Sequence, residues 1–202
     1  MNRMVAVVAA TVVLLLGLGT AAMAWVHTDD DPGWGRHAMS SHRSMGGAGG
    51  MSHHGATVTS EAGYMLEMVA HHREAIRAAG ELSRSGRPAM RAFGRDVVKT
   101  QSAQVRLMEG WLAEWYPDEP AATAYEPMMR ELTGLSGDSL DRVFLEDMIG
   151  HHMAAVMMSQ QLLVRGLDVH TEVTDLAGQI RDEQMDEIVW MRIRLAEWFG
   201  RR

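Results

Sequence analysis

The chain has 202 residues, and its formal net charge of −7, with no dense basic run, argues against a nucleic-acid-binding surface. It contains no cysteine, which excludes disulfides, thiolate zinc sites and cysteine nucleophiles. Few aromatic residues and only five prolines favour helices over a β-sandwich, and the 18 methionines and 10 histidines are an excess that requires an explanation.

The first 24 residues have the pattern of a secretory signal peptide. Arg3 precedes an uncharged stretch from Val5 to Ala24, and Ala22-Met23-Ala24 fits the small-residue rule for cleavage. The alternative is an uncleaved membrane anchor, because about 20 apolar residues can span a bilayer. Both interpretations predict an exported protein, periplasmic or otherwise extracytoplasmic, that contacts the membrane only if this N-terminal helix is retained.

Residues 25–59 are predicted to be a flexible segment rich in Gly, Ser, His and Met. Such a composition cannot bury enough apolar surface to fold alone, and a plain spacer is one interpretation. The other is metal capture, because thioethers bind Cu(I) and imidazole binds copper in both oxidation states. The ligands would be His37, Met39, His42, Met45, Met51, His53 and His54.

The rest of the chain contains an internal duplication. At an offset of 80 residues the identities include Met68/Met148, His71/His151 and His72/His152. After a three-residue insertion near 168–170 the offset is 83, with the identities Gln101/Gln184, Met108/Met191 and Leu112–Trp115/Leu195–Trp198. Rare residues that recur in the same order show that the similarity does not rest on composition.

Each copy is predicted to form a helix, a turn and a second helix. Glycine and proline signals place the helices from Thr59 or Ser60 to Gly86, from Pro88 to Tyr116, from Asp138 or Ser139 to Gly166, and from Thr171 to Phe199. Residues 117–138 form a connector, with one short turn near Pro127–Leu132. The prediction is an all-α four-helix bundle over residues 60–199, built from two duplicated helical hairpins, 60–116 and 139–199. Pairing within one chain and pairing in a homo-oligomer both stay open.

Polar side chains interrupt the apolar seams of the predicted helices at mid-height. Helical spacing puts His72 and His152 at core positions with Met68 and Met148 one turn before them, and puts His71 and His151 on the flank. Counting from the hairpin turns places Gln101 opposite His72 and Gln184 opposite His152, and places Gln104 and Glu187 level with Met68 and Met148. Such a layer is costly unless its groups satisfy each other or bind a ligand. A hydrogen-bonded core and a metal site are therefore the alternatives. The candidate metal ligands are Met68, His71, His72, Gln101 and Met108 in the first copy and Met148, His151, His152, Met158, Gln184, Glu187 and Met191 in the second. Trp111, Trp115 and Trp198 are expected to close the far end of the bundle by packing.

The second copy resembles the motif of the bacterial family called domain of unknown function 305. The matching residues are Phe144, Met148, Ile149, His151, His152, Ala155, Met158, Gln184, Glu187, Ile188 and Met191. The first copy keeps Met68, His71, His72, Gln101 and Met108 but has Ala78 and Gln104 where the motif has Met and Glu. The resemblance implies a ferritin-like fold, export, and an association with copper binding and resistance.

These observations predict an exported copper-binding protein, not an enzyme, that buffers or moves Cu(I) or Cu(II) or confers copper resistance. Its expected partners are copper ions and other copper-handling proteins. One alternative is a ferritin-like di-iron oxidase, although Glu67 and Asp147 precede His71 and His151 by four residues and no Glu-x-x-His occurs. The other is a metal-free structural or partner-binding bundle.

Overall fold

The computed structural model describes residues 57–119 and 125–200. These residues contain no β-strand and form four α-helices, α1 (Glu61–Glu81), α2 (Pro88–Trp115), α3 (Gly137–Arg165) and α4 (Thr171–Phe199). A short 3-10 helix, Leu82–Arg84, extends α1. The sequence prediction of an all-α four-helix bundle is confirmed.

The first hairpin departs from its predicted bounds at the turn. The Ser60 hydroxyl accepts a hydrogen bond from the backbone N–H of Gly63, which caps α1 where the sequence indicated. α1 ends at Glu81, before the predicted stop at Gly86, because the 3-10 turn and extended residues carry the chain to Pro88. Proline begins α2 as predicted, since it lacks the N–H that the first helical turn leaves unpaired.

The second hairpin follows the prediction more closely. Gly166 adopts φ 59°, ψ 43°, the left-handed conformation that ends α3 and that glycine reaches without a Cβ clash. α3 starts at Gly137, before the Asp138 or Ser139 that the sequence indicated. The connector turn falls at Thr133–Gly134 rather than within 127–132.

The two hairpins are inverted relative to each other, so that α1 and α3 run antiparallel. Near the start of α1, the Tyr64 hydroxyl shares a hydrogen bond with Ser159 late in α3. At the other end, Arg84 donates to the backbone oxygen of Leu135, just before α3. The turn of each hairpin therefore lies beside the open end of the other.

Equivalent residues of the two copies form side-chain hydrogen bonds to a carboxylate at the two ends of the bundle. At one end, His170 donates from Nδ1 to Glu61 Oε1 at 2.6 Å, and its ring stacks on Trp115 at 3.8 Å. At the opposite end, Arg87 donates to Asp141 Oδ2 at 2.7 Å and lies 4.9 Å from the ring centre of Trp198. Trp115 and Trp198 pack as expected, but at opposite ends, because the inversion separates equivalent positions of the two copies.

Glu61 gives the first of these hydrogen-bonded contacts a predictable pH dependence. Burial raises the pKa of Glu61, but hydrogen bonds from the His170 side chain, the N–H groups of His170 and Val169, and the Tyr116 hydroxyl outweigh burial and lower the pKa. The charged form is therefore favoured in the folded state. Its stabilisation is complete above the unfolded-state pKa of about 4.3 and is lost as pH falls through the lower folded-state pKa.

We expect Glu61→Gln to lower the free energy of unfolding by about 1.5–3 kcal/mol at pH 7, because an amide cannot accept all of these bonds. Urea unfolding at pH 7 and at pH 3 measures the difference from wild type, which should shrink at the lower pH. Glu114→Gln, exposed near the end of α2, is the matched control and should change stability little. An equal loss at both pH values would contradict the assignment.

Several predictions fall outside the described residues, namely those for 1–24, for most of 25–59 and for 120–124 of the connector. Val58, assigned to the flexible segment, is buried, and its N–H and C=O bond to the side chains of Gln161 and Arg165. Ordered packing therefore begins before the predicted boundary. Among the described helices, none has the length and apolarity that a membrane crossing requires.

Candidate metal centre

The two histidine doublets meet at the middle of the bundle. Because α1 and α3 are antiparallel, the rings of His71 and His151 lie against each other, with their centroids 3.6 Å apart and their planes tilted by 32°. His72 lies 6.3 Å from His71, and His152 lies 6.1 Å from His151, so the four rings form a row. Each of the four residues is at most 1% exposed. The sequence placed His71 and His151 on the flank of separate seams, but the structure buries them against each other.

The outer two rings of the row have one hydrogen bond each. His72 Nε2 lies 2.8 Å from Gln104 Oε1, and His152 Nε2 lies 2.5 Å from Glu187 Oε2. The predicted partners, Gln101 and Gln184, are buried as expected but do not bond the histidines, as the true partners lie one turn further along α2 and α4.

The remaining ring nitrogens have no hydrogen-bond partner. These are both nitrogens of His71 and of His151, and Nδ1 of His72 and of His152. A buried polar atom without a partner costs about 1–3 kcal/mol, so this concentration of them is unfavourable in a sealed core. Each neutral ring has one nitrogen with a free lone pair, so a metal ion could satisfy one of these atoms in each of the four rings.

Burial disfavours the charged form of His71, His72 and His151. It lowers the pKa of His71 well below the ordinary value, with the neighbouring histidines adding to the effect, and lowers the pKa of His72 to about 3. Burial also lowers the pKa of His151, although Glu74 opposes that shift. Neutral imidazole is the form that binds metals, so the rings need not lose a proton before they coordinate.

Glu74 lies beside His151 and bonds to the connector, a role that was not predicted from the sequence. Its carboxylate accepts from the Tyr125 hydroxyl and from the N–H groups of Met128 and Met129, and Oε2 lies 3.3 Å from His151 Nε2 without hydrogen-bond alignment. The second copy has Ala154 at the equivalent position. The sequence feature that could have identified Glu74 is a charged residue at a core-facing position in only one of the two copies.

The predicted methionine ligands are buried but divide between two hydrophobic clusters. Met68, Met108 and Met158 pack in one cluster. Met148 and Met191 pack in the other. A metal site built from the second copy alone would need Met148 and Met158 together, but the structure places them in different clusters. The predicted ligands His37, Met39, His42, Met45, Met51, His53 and His54 lie outside the described residues.

No ready-made site of three converging His, Asp or Glu side chains is present within residues 57–119 and 125–200. The rings of His71 and His151 contact each other directly, at 3.6 Å between centroids, and the four rings follow one another in a row instead of converging on one point. The donor chemistry nevertheless fits copper, because neutral imidazoles suit both of its oxidation states. Coordination of one ion by several of these rings requires that the rings rotate.

The comparisons agree on one family and one fold. The family described as "Domain of unknown function (DUF305)" matches residues 61–195. CopM in the Cu(I)-bound form is similar at 26% identity and TM-score 0.63, covering 71% of this chain and 100% of that chain. CopM co-crystallised with silver gives 26% identity and TM-score 0.60 over the same shares. A DUF305 fragment from Deinococcus radiodurans is 30% identical, with TM-score 0.60, covering 70% of this chain and 98% of that chain. A comparison with curated protein sequences finds no match.

Proposed function

The chain belongs to the DUF305 family, and from this premise we propose that it is an exported copper-binding protein that buffers or moves copper or confers resistance to it. The observation that carries the proposal is the row of four buried histidines, each of which has at least one ring nitrogen without a hydrogen-bond partner. The Cu(I)-bound and silver-bound forms of the similar protein CopM support a soft metal ion as the ligand. The signal-peptide pattern of residues 1–24 supports export.

Within this proposal the two copies contribute to one centre. His72 and His152 would offer Nδ1, because Nε2 of each already bonds Gln104 or Glu187. His71 and His151 would offer either nitrogen after their rings separate. The buried thioethers of Met68 and Met148, one turn away along α1 and α3, add soft donors for Cu(I).

We propose binding in place of catalysis, and the surroundings of Asp147 support this choice. A di-iron oxidase needs carboxylates at the metal centre. Both carboxylate oxygens of Asp147 instead accept hydrogen bonds from Arg130 in the connector. Asp147 is therefore engaged in an ion pair that holds the connector, which leaves it unsuited to bind iron beside His151.

Copper titration followed by thermal unfolding tests the proposal. At a free copper concentration 100 times Kd, linkage stabilises the folded state by about 2.7 kcal/mol. For a protein of this size that raises Tm by about 5–10 °C. We expect this rise for wild type with Cu(I) kept reduced or with Cu(II), and we expect His72→Leu/His152→Leu to lose most of it.

Two controls locate the binding. His170→Gln removes a histidine outside the centre and should keep the full copper-induced rise. A variant with His37, His42, His53 and His54 changed to Ser should also keep it, because those residues precede the bundle. If the double leucine variant keeps the full rise, the centre does not bind copper. If purified wild type retains no copper and shows no rise, the bundle is metal-free.

A further inference from the structure

The two outer histidines of the centre are equivalent by duplication but have chemically different partners. Gln104 and Glu187 occupy matching positions at the offset of 83, on α2 and α4. A carboxylate can only accept, so Glu187 requires the proton of His152 on Nε2 and leaves the lone pair on Nδ1. An amide can accept or donate, so Gln104 by itself permits either tautomer of His72.

Glu183 removes this ambiguity. Its Oε2 lies 2.9 Å from Nε2 of Gln104, and a carboxylate must receive a donor. The NH₂ group of Gln104 therefore faces Glu183, and its carbonyl oxygen faces His72 at 2.8 Å. His72 must then donate from Nε2, which leaves its lone pair on Nδ1.

The other carboxylate oxygen of Glu183 is also engaged. It accepts a hydrogen bond of 2.7 Å from the side chain of Gln179, one turn earlier on α4. The matching position of the first copy is Thr100, which has no carboxylate to offer. Glu183 of the second hairpin therefore supplies a carboxylate acceptor to His72 of the first hairpin through Gln104, whereas Glu187 supplies one to His152 directly.

We propose that Glu183 is a positioning residue that acts through Gln104 to fix His72 in the Nε2–H tautomer. Nδ1 of His72 and Nδ1 of His152 are then presented as equivalent lone pairs. The role of those lone pairs as copper donors rests on the proposed function, whereas the tautomer itself is a property of the protein without copper. Outer hydrogen bonds of this kind typically change metal affinity by about 10–100-fold when removed.

Nitrogen NMR of the copper-free chain tests the tautomer. His72 is fully buried and its hydrogen-bond partner is a neutral amide, so the two neutral tautomers of the ring are the forms to compare at pH 7. In wild type, ¹⁵N-labelled His72 and His152 should both show Nε2–H. In Glu183→Ala, Gln104 can turn its NH₂ group to His72, so the Nδ1–H form of His72 should appear while His152 stays unchanged as an internal reference.

Two further variants make the result specific. Adding Gln104→Glu to Glu183→Ala copies the arrangement around His152 and should restore the Nε2–H form of His72. Asp186→Ala removes an exposed carboxylate from the same helix and should leave both rings as in wild type. If His72 stays in the Nε2–H form in Glu183→Ala, the positioning role is overturned, whatever the chain does with copper.

Copper affinity is the second measurement. We expect Glu183→Ala to bind copper at least 10-fold more weakly and the double variant to recover most of the affinity. A shifted tautomer with unchanged affinity would overturn the claim that this lone pair serves copper. Absence of copper binding by wild type would overturn the proposed function but would leave the tautomer result intact.

Discussion

Replacement of Glu74 by alanine is expected to lower the free energy of unfolding by about 3 kcal/mol, because each hydrogen bond to a charged acceptor contributes about 1.5–3 kcal/mol and the bonds share one acceptor. The carboxylate is only 4% exposed and receives the Tyr125 hydroxyl and the N–H groups of Met128 and Met129. Its loss leaves those donors without an acceptor and releases the connector from α1.

Guanidinium unfolding measures the stability of the Glu74 variant, and limited proteolysis measures release of the connector. Glu67→Ala, a half-buried carboxylate two turns earlier on the same helix, is the matched control and should lose much less stability. Equal losses for the two variants, with the connector still protected, would contradict the role of Glu74.

The pH dependence of the Glu74 contribution has a definite sign. Burial raises the pKa of Glu74, but contacts with His151, Tyr125 and the two backbone N–H groups lower it to about 2. The stabilisation is therefore complete above the unfolded-state value and is lost as pH falls from about 4.5 to about 2. The difference in stability between wild type and Glu74→Gln should decrease over that interval.

Gly94→Ala is expected to destabilise the protein by about 2–3 kcal/mol, although alanine normally stabilises a helix relative to glycine. A Cβ at this position would lie 2.7 Å from the backbone oxygen of Ala79 and 2.9 Å from Cβ of Leu82. The backbone of α1 cannot yield as a flexible side chain would. The second hairpin has the buried Ala177 at the equivalent position, so this close approach belongs to the first hairpin.

Glycines of the same protein provide the control. A Cβ on Gly110 or Gly178 would meet no heavy atom within 4 Å. Gly110→Ala and Gly178→Ala should therefore raise stability by about 0.5–1 kcal/mol, the usual gain from glycine to alanine inside a helix. Urea unfolding of the three variants tests whether the same glycine-to-alanine change lowers stability at Gly94 and raises it at Gly110 and Gly178. A stabilising Gly94→Ala would show that α1 and α2 are further apart than described.

The sequence by itself determined the features that depend on neighbours along the chain. Helical periodicity identified His72 and His152 as core residues, because the 3.6-residue repeat fixes which side chains share a face. Pro88 and Gly166 marked ends of helices through their own backbone restrictions. The duplication and the family followed from matching residues at fixed offsets, and the family match confirms the latter.

Counting residues from a turn failed to give the hydrogen-bond register across each hairpin. His72 bonds Gln104 instead of Gln101, and His152 bonds Glu187 instead of Gln184. The error is three residues in both hairpins, although only the first hairpin has a 3-10 turn and an extended stretch before it reverses. A count along the sequence carries no information on the path of the turn.

Only the tertiary structure decided that the two copies form one centre. The inversion of the hairpins follows from packing between residues about 80 apart, and no local pattern records it. That inversion brings His71 against His151, separates Trp115 from Trp198, and brings Glu183 of one copy to Gln104 of the other. The sequence supplied the histidines, whereas their protonation, their partners and their unpaired nitrogens depend on burial and on distances that exist only once both hairpins have packed.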